Sequence, residues 1–269
     1  MYNELKENLD TMTCTKDILT LSVEIGDAML RNGAEIYRVE DSLIHILESY
    51  DVENIDVYVL SNGIFASANE DKEDACSMVR HVPLGSVNLG KISALNQLTR
   101  DICNHDCSVS DAWTRLEQCK TLPTYHGLIA VLACGIGSAC FCYLFGGGVL
   151  DAGIAFIIGL FEQQLLFVLQ KHRVSKFLTN VFASMFVSVI SIVCLLLGAP
   201  ILYDKVIIGA IMPLVPGVVF TTSIRDFYNG DYLSGTIHLI DALLTALCIA
   251  VGVFLTITGF RYLGGGINL

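Results

Sequence analysis

The sequence predicts an α+β domain followed by an all-α transmembrane bundle of about five helices. The chain is 53% hydrophobic and only 16% charged, whereas a typical soluble domain carries about 25% charged residues. Its net charge of −11 lies entirely in the first half, because residues 127–269 carry six acids and six bases. Such different compositions indicate two domains in two solvents, residues 1–125 and residues 126–269.

The first half begins with two predicted helices. Thr15–Arg31 ends at Asn32 and Gly33, and glycine accepts the left-handed conformation that terminates a helix. Glu35–Ser49 is the second helix, with Glu35 at the positive end of its dipole. The helical period places four apolar side chains on one face: Val39, Leu43, Ile46 and Leu47.

A change to period-two alternation then predicts a small, mostly antiparallel sheet. Ile55, Val57 and Val59 alternate with polar or amphipathic residues. Asn62-Gly63 is a strong hairpin signal. The remaining predicted elements are a return strand at Ile64–Ala68, a third strand at Ser77–Pro83, and closing helices at Leu89–Asn104 and Ser110–Lys120.

The second half contains apolar runs that are long enough to cross a bilayer, which takes about 20 residues. The predicted spans cover residues 127–145, 149–169, 177–198, 206–224 and 236–260. A triple-glycine turn separates the first two spans, and a basic loop separates the second from the third.

Basic residues near the membrane ends predict the orientation, since Lys and Arg are enriched on the cytoplasmic side. With the N-terminal domain inside, the inner flanks carry Arg115, Lys120, Lys171, Arg173, Lys176 and Arg225. The outer flanks carry only Lys205 and Arg261. No signal peptide is visible, so we expect an inner-membrane protein in contact with lipid, with a cytoplasmic N-terminal domain. The acidity of that domain argues against nucleic acid as a partner.

Ionisable residues within the predicted spans indicate function, because they are costly in a bilayer. Glu162 lies well inside the second span and is followed by Gln163; the alternative role is an interhelical hydrogen bond. Asp241 lies in the fifth span, three residues from His238 and on the same face. Asp151, near an outer end, fits an interfacial position better. We expect Glu162 and Asp241 to line a cytoplasm-facing polar vestibule suited to proton coupling.

The fourth span is interrupted by Pro213, Pro216 and Gly217. Each proline removes a backbone donor, so carbonyl groups near residues 209–213 are expected to lose their partners. Interrupted helices in transporters expose such groups to ligands. A proline kink used only for packing is the other interpretation.

Other classes of site are not predicted. The spacing of Cys103, Cys107 and Cys119 matches no standard zinc-ligand pattern. The chain shows no phosphate-binding loop, dinucleotide fingerprint or nucleophile–base pattern. We therefore expect no enzyme activity, no metal and no cofactor.

Several short motifs, taken together, resemble the threonine/serine exporter family. Residues 212–217 (Met-Pro-Leu-Val-Pro-Gly) are followed by Arg225-Asp226, Gly230-Asp231 and Gly235. In the N-terminal half, Gly33-Ala34-Glu35 with Arg38-Val39-Glu40, and then Asn62-Gly63-Ile64, are similar to the family's soluble-domain motifs. The resemblance extends from about residue 15 to residue 260.

The resemblance implies export of small metabolites across the plasma membrane. It points to the larger, soluble-domain-bearing subunit of the family's split form, which is implicated in succinate export and pairs with a small multi-span subunit. A hetero-oligomer is thus implied, with a homo-oligomer as the alternative.

One position departs from the family pattern, since Thr222 stands where members often carry Asn. The substrate therefore stays open between threonine or serine and a dicarboxylate. Arg225 is the only arginine expected within reach of a bundle cavity, which favours an amino acid over a dianion. A regulatory or scaffold subunit, whose partner forms the transport pathway, is the competing interpretation of the whole chain.

Overall fold

The computed structural model describes residues 15–69, 75–83, 85, 87–122 and 127–262. The chain divides into two compact units. The N-terminal unit comprises Met1–Thr124 and Asp231–Ser234, and the helical unit comprises Tyr125–Gly230 and Gly235–Leu269. The domain boundary expected at residues 125/126 falls outside the described residues.

The N-terminal unit is built from four helices and a three-stranded sheet among its described residues. Its elements are α1 (Thr15–Arg31), α2 (Ile36–Ser49), β1 (Asp56–Leu60), β2 (Gly63–Asn69), β3 (Ala75–His81), α3 (Leu89–Cys103) and α4 (Val109–Thr121). The strands are antiparallel in the order β1-β2-β3. This confirms the predicted helices and the small antiparallel sheet, although β3 begins and ends two residues before the predicted range.

One side of the sheet packs against α1 and α2 to form the core of this unit. Val59 and Ile64 are cross-strand partners, and both are almost fully buried. Leu43 and Leu47 of α2 are fully buried with them, as the helical period predicted. The predicted hairpin is displaced by one residue: Leu60 pairs with Gly63, so the two-residue turn is Ser61-Asn62 and Gly63 already belongs to β2.

The helical unit consists of apolar helices. They are α5 (Gly127–Leu144), α6 (Val149–Lys171), α7 (Lys176–Leu196), α8 (Tyr203–Ile211), α9 (Gly217–Tyr228) and α10 (Tyr232–Tyr262), whose first residues belong to the N-terminal unit. Among the described residues, four of these helices, α5, α6, α7 and α10, are long and apolar enough to cross a membrane. Counting α8 and α9 as one bent span gives five, so the fold is that of a multi-pass membrane protein.

Small residues allow close contact between α5, α6 and α8. A Cβ added to Gly209 would lie 2.6 Å from the backbone Cα and N of Cys142. A Cβ added to Gly159 would lie 3.0 Å from Cα of Gly135 and 2.5 Å from Oγ of Ser138. Helices in membranes associate through such small-residue contacts, because lipid provides no hydrophobic force to press them together.

Candidate functional site in the helical unit

The predicted interruption of the fourth span is present as a sharp bend. A 3₁₀ turn at Met212–Leu214 follows α8. The helix axis bends by 56° between the segment that ends at Leu214 and α9. Pro213 lies in the turn, and Pro216 is the N-cap of α9. Pro213 and Gly217 are exposed within this chain, and Pro216 is half-buried.

The carbonyl groups at the bend are only partly released, which corrects the prediction. The amide of Met212 donates to the carbonyl of Gly209, and the amide of Val215 donates to that of Met212 at 3.1 Å. These bonds span three residues, because a 3₁₀ turn restores pairing when prolines prevent the α-helical pattern. The break therefore changes the helix direction without leaving every carbonyl in it unpaired.

Glu162 is the most deeply buried acid of the predicted site, with no exposed surface. The thiol of Cys134 on α5 donates to its Oε2 over 3.7 Å. Its Oε1 has no hydrogen-bond partner among the described residues. Burying an ionised carboxylate is costly without strong donors, so this site suits an acid that takes up and releases a proton. Gln163, its neighbour, is half-buried.

Asp226 and His238 connect α9 to α10. Nδ1 of His238 lies 2.7 Å from Oδ2 of Asp226, and the aspartate side chain is 4% exposed. One turn earlier on α9, the hydroxyl of Ser223 donates to the carbonyl of Gly235 at 2.9 Å. The segment of α9 that follows the bend and the first turns of α10 are thus held together by buried polar contacts. Thr222 and Arg225 are half-buried on α9.

Asp241 forms an ion pair with Lys176, which the sequence analysis used only as a basic residue flanking the inner end of a span. Nζ of Lys176, the first residue of α7, lies 2.5 Å from Oδ2 of Asp241. The side chains are 52% and 20% exposed, respectively. Each of the three predicted acids, Glu162, Asp226 and Asp241, therefore contacts a polar side chain on a helix other than its own.

Asp151 has a structural role. Its Oδ2 accepts from the amide of Gly148 at 2.7 Å, as part of a cap at the start of α6. Its Oδ1 accepts from the amide of Leu202 at 3.0 Å, just before α8. The carboxylate thus joins two helix beginnings, where the dipoles favour negative charge.

Sequence reasoning missed a buried polar face on α7. Its members are almost completely buried: Thr179, Asn180, Ser184, Ser188 and Ser191. Spacings of four, four and three residues from position 180 onward put most of them on one side of the helix. That regular spacing within an apolar run was the signal that could have identified the face. Thr245 of α10, only 2% exposed, was also missed.

The predicted motif residues of the N-terminal unit support local structure. Gly33 has φ of +80°, and its amide donates to the carbonyl of Leu30 at the end of α1. Glu35, the N-cap of α2, lies 3.2 Å from Nε of Arg38. A hydrogen bond with Tyr37 and the charge of Glu35 raise the pKa of Arg38. The carbonyl of Asn62, next to Gly63, accepts from the amide of Val82 at 2.9 Å.

Comparison with known families identifies the chain's relatives. Residues 20–259 match the model of the family described as "Putative threonine/serine exporter". The chain belongs to the threonine/serine exporter family. Membership confirms the resemblance of the motifs and makes the chain a member of a family of membrane transporters.

The individual relatives of this chain are distant in sequence. The chain is 25% identical over 252 residues to "Probable succinate transporter subunit YjjP" of Escherichia coli K12, covering 91% of this chain and 96% of the relative. The protein of the same name in Klebsiella aerogenes gives 25% identity over 91% of this chain and 95% of its own. "Pheromone-regulated membrane protein 10" of Pichia sorbitophila is 23% identical, over 86% of this chain and 24% of that protein. No solved structure matches the chain.

Proposed function

We propose that this chain is a subunit of a plasma-membrane secondary transporter that exports a small metabolite in exchange for, or together with, protons. The metabolite is threonine or serine, or a dicarboxylate such as succinate. The broken helix pair α8–α9 carries the proposal, because a bend of 56° at two prolines creates two helix ends within a candidate membrane span, and transporters bind solutes at such interrupted helices. A scaffold subunit has little need of such a break.

Glu162 is the residue we assign to proton coupling. It is fully buried, and its described donor is a thiol, which is a weak donor. Intramembrane carboxyl groups of this kind serve as proton carriers in transporters. We assign the pathway to Glu162 together with the other residues predicted from the sequence: Gln163, Pro213, Pro216, Gly217, Thr222, Arg225, Asp226 and Asp241.

The name of the Escherichia coli relative, a transporter subunit, supports a partner for this chain. We propose a small multi-span membrane subunit as that partner. The charge distribution supports a cytoplasmic N-terminal unit, since basic residues flank the expected inner ends of the spans.

Efflux from loaded cells tests the function. Cells are loaded with labelled threonine, serine or succinate and express this chain with and without its small partner subunit. We expect one solute to leave only when both chains are present, and we expect a protonophore to change that rate. Absence of efflux for all three solutes with both chains present contradicts the proposal and favours a regulatory subunit.

A further inference from the structure

The sheet of the N-terminal unit buries one face and exposes the other. Val59 and Ile64 point into the core, whereas their neighbours on the strands, Tyr58 and Phe65, are exposed together with Val79. A sheet face that meets water normally carries polar side chains. Two aromatic rings and a valine at the centre of an exposed face are instead typical of an interaction surface.

The exposed side, here called the outer face, consists of three rows of cross-strand neighbours that project to the same side of the sheet. From one end to the other, the rows are Asp56–Ser67–Ser77, Tyr58–Phe65–Val79 and Leu60–Gly63–His81. The apolar row thus lies between an acidic end and an imidazole end. Asp56 and His81 are both exposed, and they occupy opposite corners of the outer face.

The two halves of the outer face also differ in shape. The ring of Phe65 lies over Gly63, since a Cβ added to that glycine would be 3.6 Å from Cε2 of Phe65. The ring of Tyr58 lies beside it, with the two centroids 6.3 Å apart. On the other side of these rings, a groove of about 390 Å³ runs along Ser67 and Ser77. The outer face therefore has a ridge toward the imidazole end and a groove toward the acidic end.

This arrangement of shape and charge is complementary to a second copy of itself. A two-fold axis that lies in the interface, at a right angle to the line from Asp56 to His81, exchanges the two corners. Each imidazole then lies opposite the other copy's carboxylate, and each ridge lies over the other copy's groove. Nδ1 of His81 is 3.2 Å from the carbonyl oxygen of Asn62, so its Nε2 is left to donate to the carboxylate when the ring is protonated.

We propose that two copies of this chain pair through the outer face, in a contact that uses the same patch of both copies. The pairing does not depend on the transport function proposed above. Strand β1 has five residues, so three strands about 4.8 Å apart with a rise of about 3.4 Å per residue give a face of about 240 Å² per copy. A standard interface buries about 800 Å² per partner.

The small area and the acidity of the unit determine where the pairing occurs. Two acidic units repel each other, and the contact area is too small to hold them together in dilute solution. Two copies held in one membrane have a high effective concentration. We therefore expect the pair in membranes and its dissociation on dilution in detergent.

Cross-linking in isolated membranes tests the pairing in the full-length chain. The two-fold axis passes close to Ser77, so Ser77→Cys brings two thiols within reach of a short bismaleimide. Ser110→Cys, at an exposed position of α4, is the matched control, and the unsubstituted chain measures the background from the native cysteines. We expect at least about fivefold more cross-linked dimer from Ser77→Cys than from either control, because confinement favours the specific pair.

An exchange of charges, made in the chain that carries Ser77→Cys, tests the contact between Asp56 and His81. His81→Glu places two carboxylates opposite each other, and Asp56→Lys removes the acceptor. Each should lower cross-linking about tenfold, the effect of losing a hydrogen bond between charged groups. The double variant restores opposite charges in reversed order and should recover most of the cross-linking, which a role in folding alone would not produce. Glu53→Lys, at an exposed position before β1, should have no effect.

The ridge is tested in the same way. Phe65→Ser should lower cross-linking about tenfold, because buried aromatic side chains contribute most to such contacts. Tyr37→Ser, which removes a similarly exposed ring from α2, should not. The fluorescence of Trp113, the one tryptophan of the chain, shows whether each variant keeps the folded unit.

Three results overturn the proposal. The first is cross-linking of Ser77→Cys that does not exceed that of Ser110→Cys, or that joins the chain to a different protein. The second is a double charge variant that cross-links as little as the single variants. The third is full cross-linking in the presence of Phe65→Ser.

Discussion

The thiol of Cys134 donates to the buried carboxyl group of Glu162 across 3.7 Å, from α5 to α6. The other oxygen of Glu162 has no partner among the described residues. An ionised carboxylate at this position needs stronger donors than the thiol of Cys134. We therefore expect protonation of Glu162 to be linked to how tightly α5 and α6 pack.

Replacing Glu162 with Gln removes the ionisable carboxyl group but keeps the shape of the side chain. We expect export to fall at least about tenfold and to lose its response to pH, because glutamine cannot take up and release the proton that we assign to Glu162. The folded state should persist, since the substitution removes a costly buried ionisable group. Efflux rates at several pH values and the unfolding temperature of the same preparation measure the two effects.

Asp151→Asn is the matched control, since it also converts a buried acid on α6 to its amide. Asp151 bonds to the amides of Gly148 and Leu202, so the substitution should lower the free energy of unfolding by about 1–3 kcal/mol. The pH response of export should remain. Equal effects of both substitutions on the pH response would contradict the separate roles of the two acids.

The break in the fourth span can be tested with alanine at both prolines. Pro213→Ala with Pro216→Ala restores two backbone donors and favours a continuous helix. We expect export to fall at least about tenfold while the amount of protein in the membrane is unchanged. Pro200→Ala, at an exposed position before α8, should leave export unaffected. Normal export by the double variant would mean that the bend serves packing alone.

The sequence predicted what is encoded locally. Gly33 predicted the end of α1 because its φ of +80° is one that glycine readily adopts. Pro213 and Pro216 predicted the break for an equally local reason. The sequence did not predict that Lys176 pairs with Asp241, because these residues are 65 positions apart in the chain, with α8, the bend and α9 between their helices.

The contact between α7 and α10 could not be predicted from the sequence for a different reason. A helix that is apolar on all sides carries little information about which face meets protein and which meets lipid. The contact of Gly252 with Ser184 depends on which helices become neighbours. Only the structure provides that.

The acid stability of the N-terminal unit is expected to depend on Asp101. Hydrogen bonds from Arg115 and Gln97 lower the pKa of Asp101 below its usual value. A carboxyl group with a lowered pKa in the folded state stabilises the fold above its unfolded pKa. That contribution is lost as the pH falls through the folded value. Asp101→Asn should therefore make stability less sensitive to acidification below about pH 4.

Trp113 makes this measurement possible in the full-length protein. It is the one tryptophan of the chain and packs against the core of the N-terminal unit, so its fluorescence reports the unfolding of that unit. Denaturation curves between about pH 2 and pH 7, which include the range below the unfolded pKa, compare Asp101→Asn with Glu53→Gln, a control at an exposed position before β1. An unchanged slope of stability against pH in Asp101→Asn would show that the ion pair contributes nothing.

We expect a side chain at position 252 to disturb the packing of α10 on α7. A Cβ there would collide with Oγ of Ser184 and approach the amide of Met185 to 3.2 Å. Because backbone atoms of α7 line the contact, Gly252→Ala should lower the free energy of unfolding by about 1–3 kcal/mol. Gly259→Ala makes the same change on the same helix, where a Cβ meets nothing within 4 Å. It should be neutral or slightly stabilising, because alanine favours a helix. Unfolding of both variants in detergent compares them directly, and equal stabilities would mean that α10 does not pack on α7 at this position.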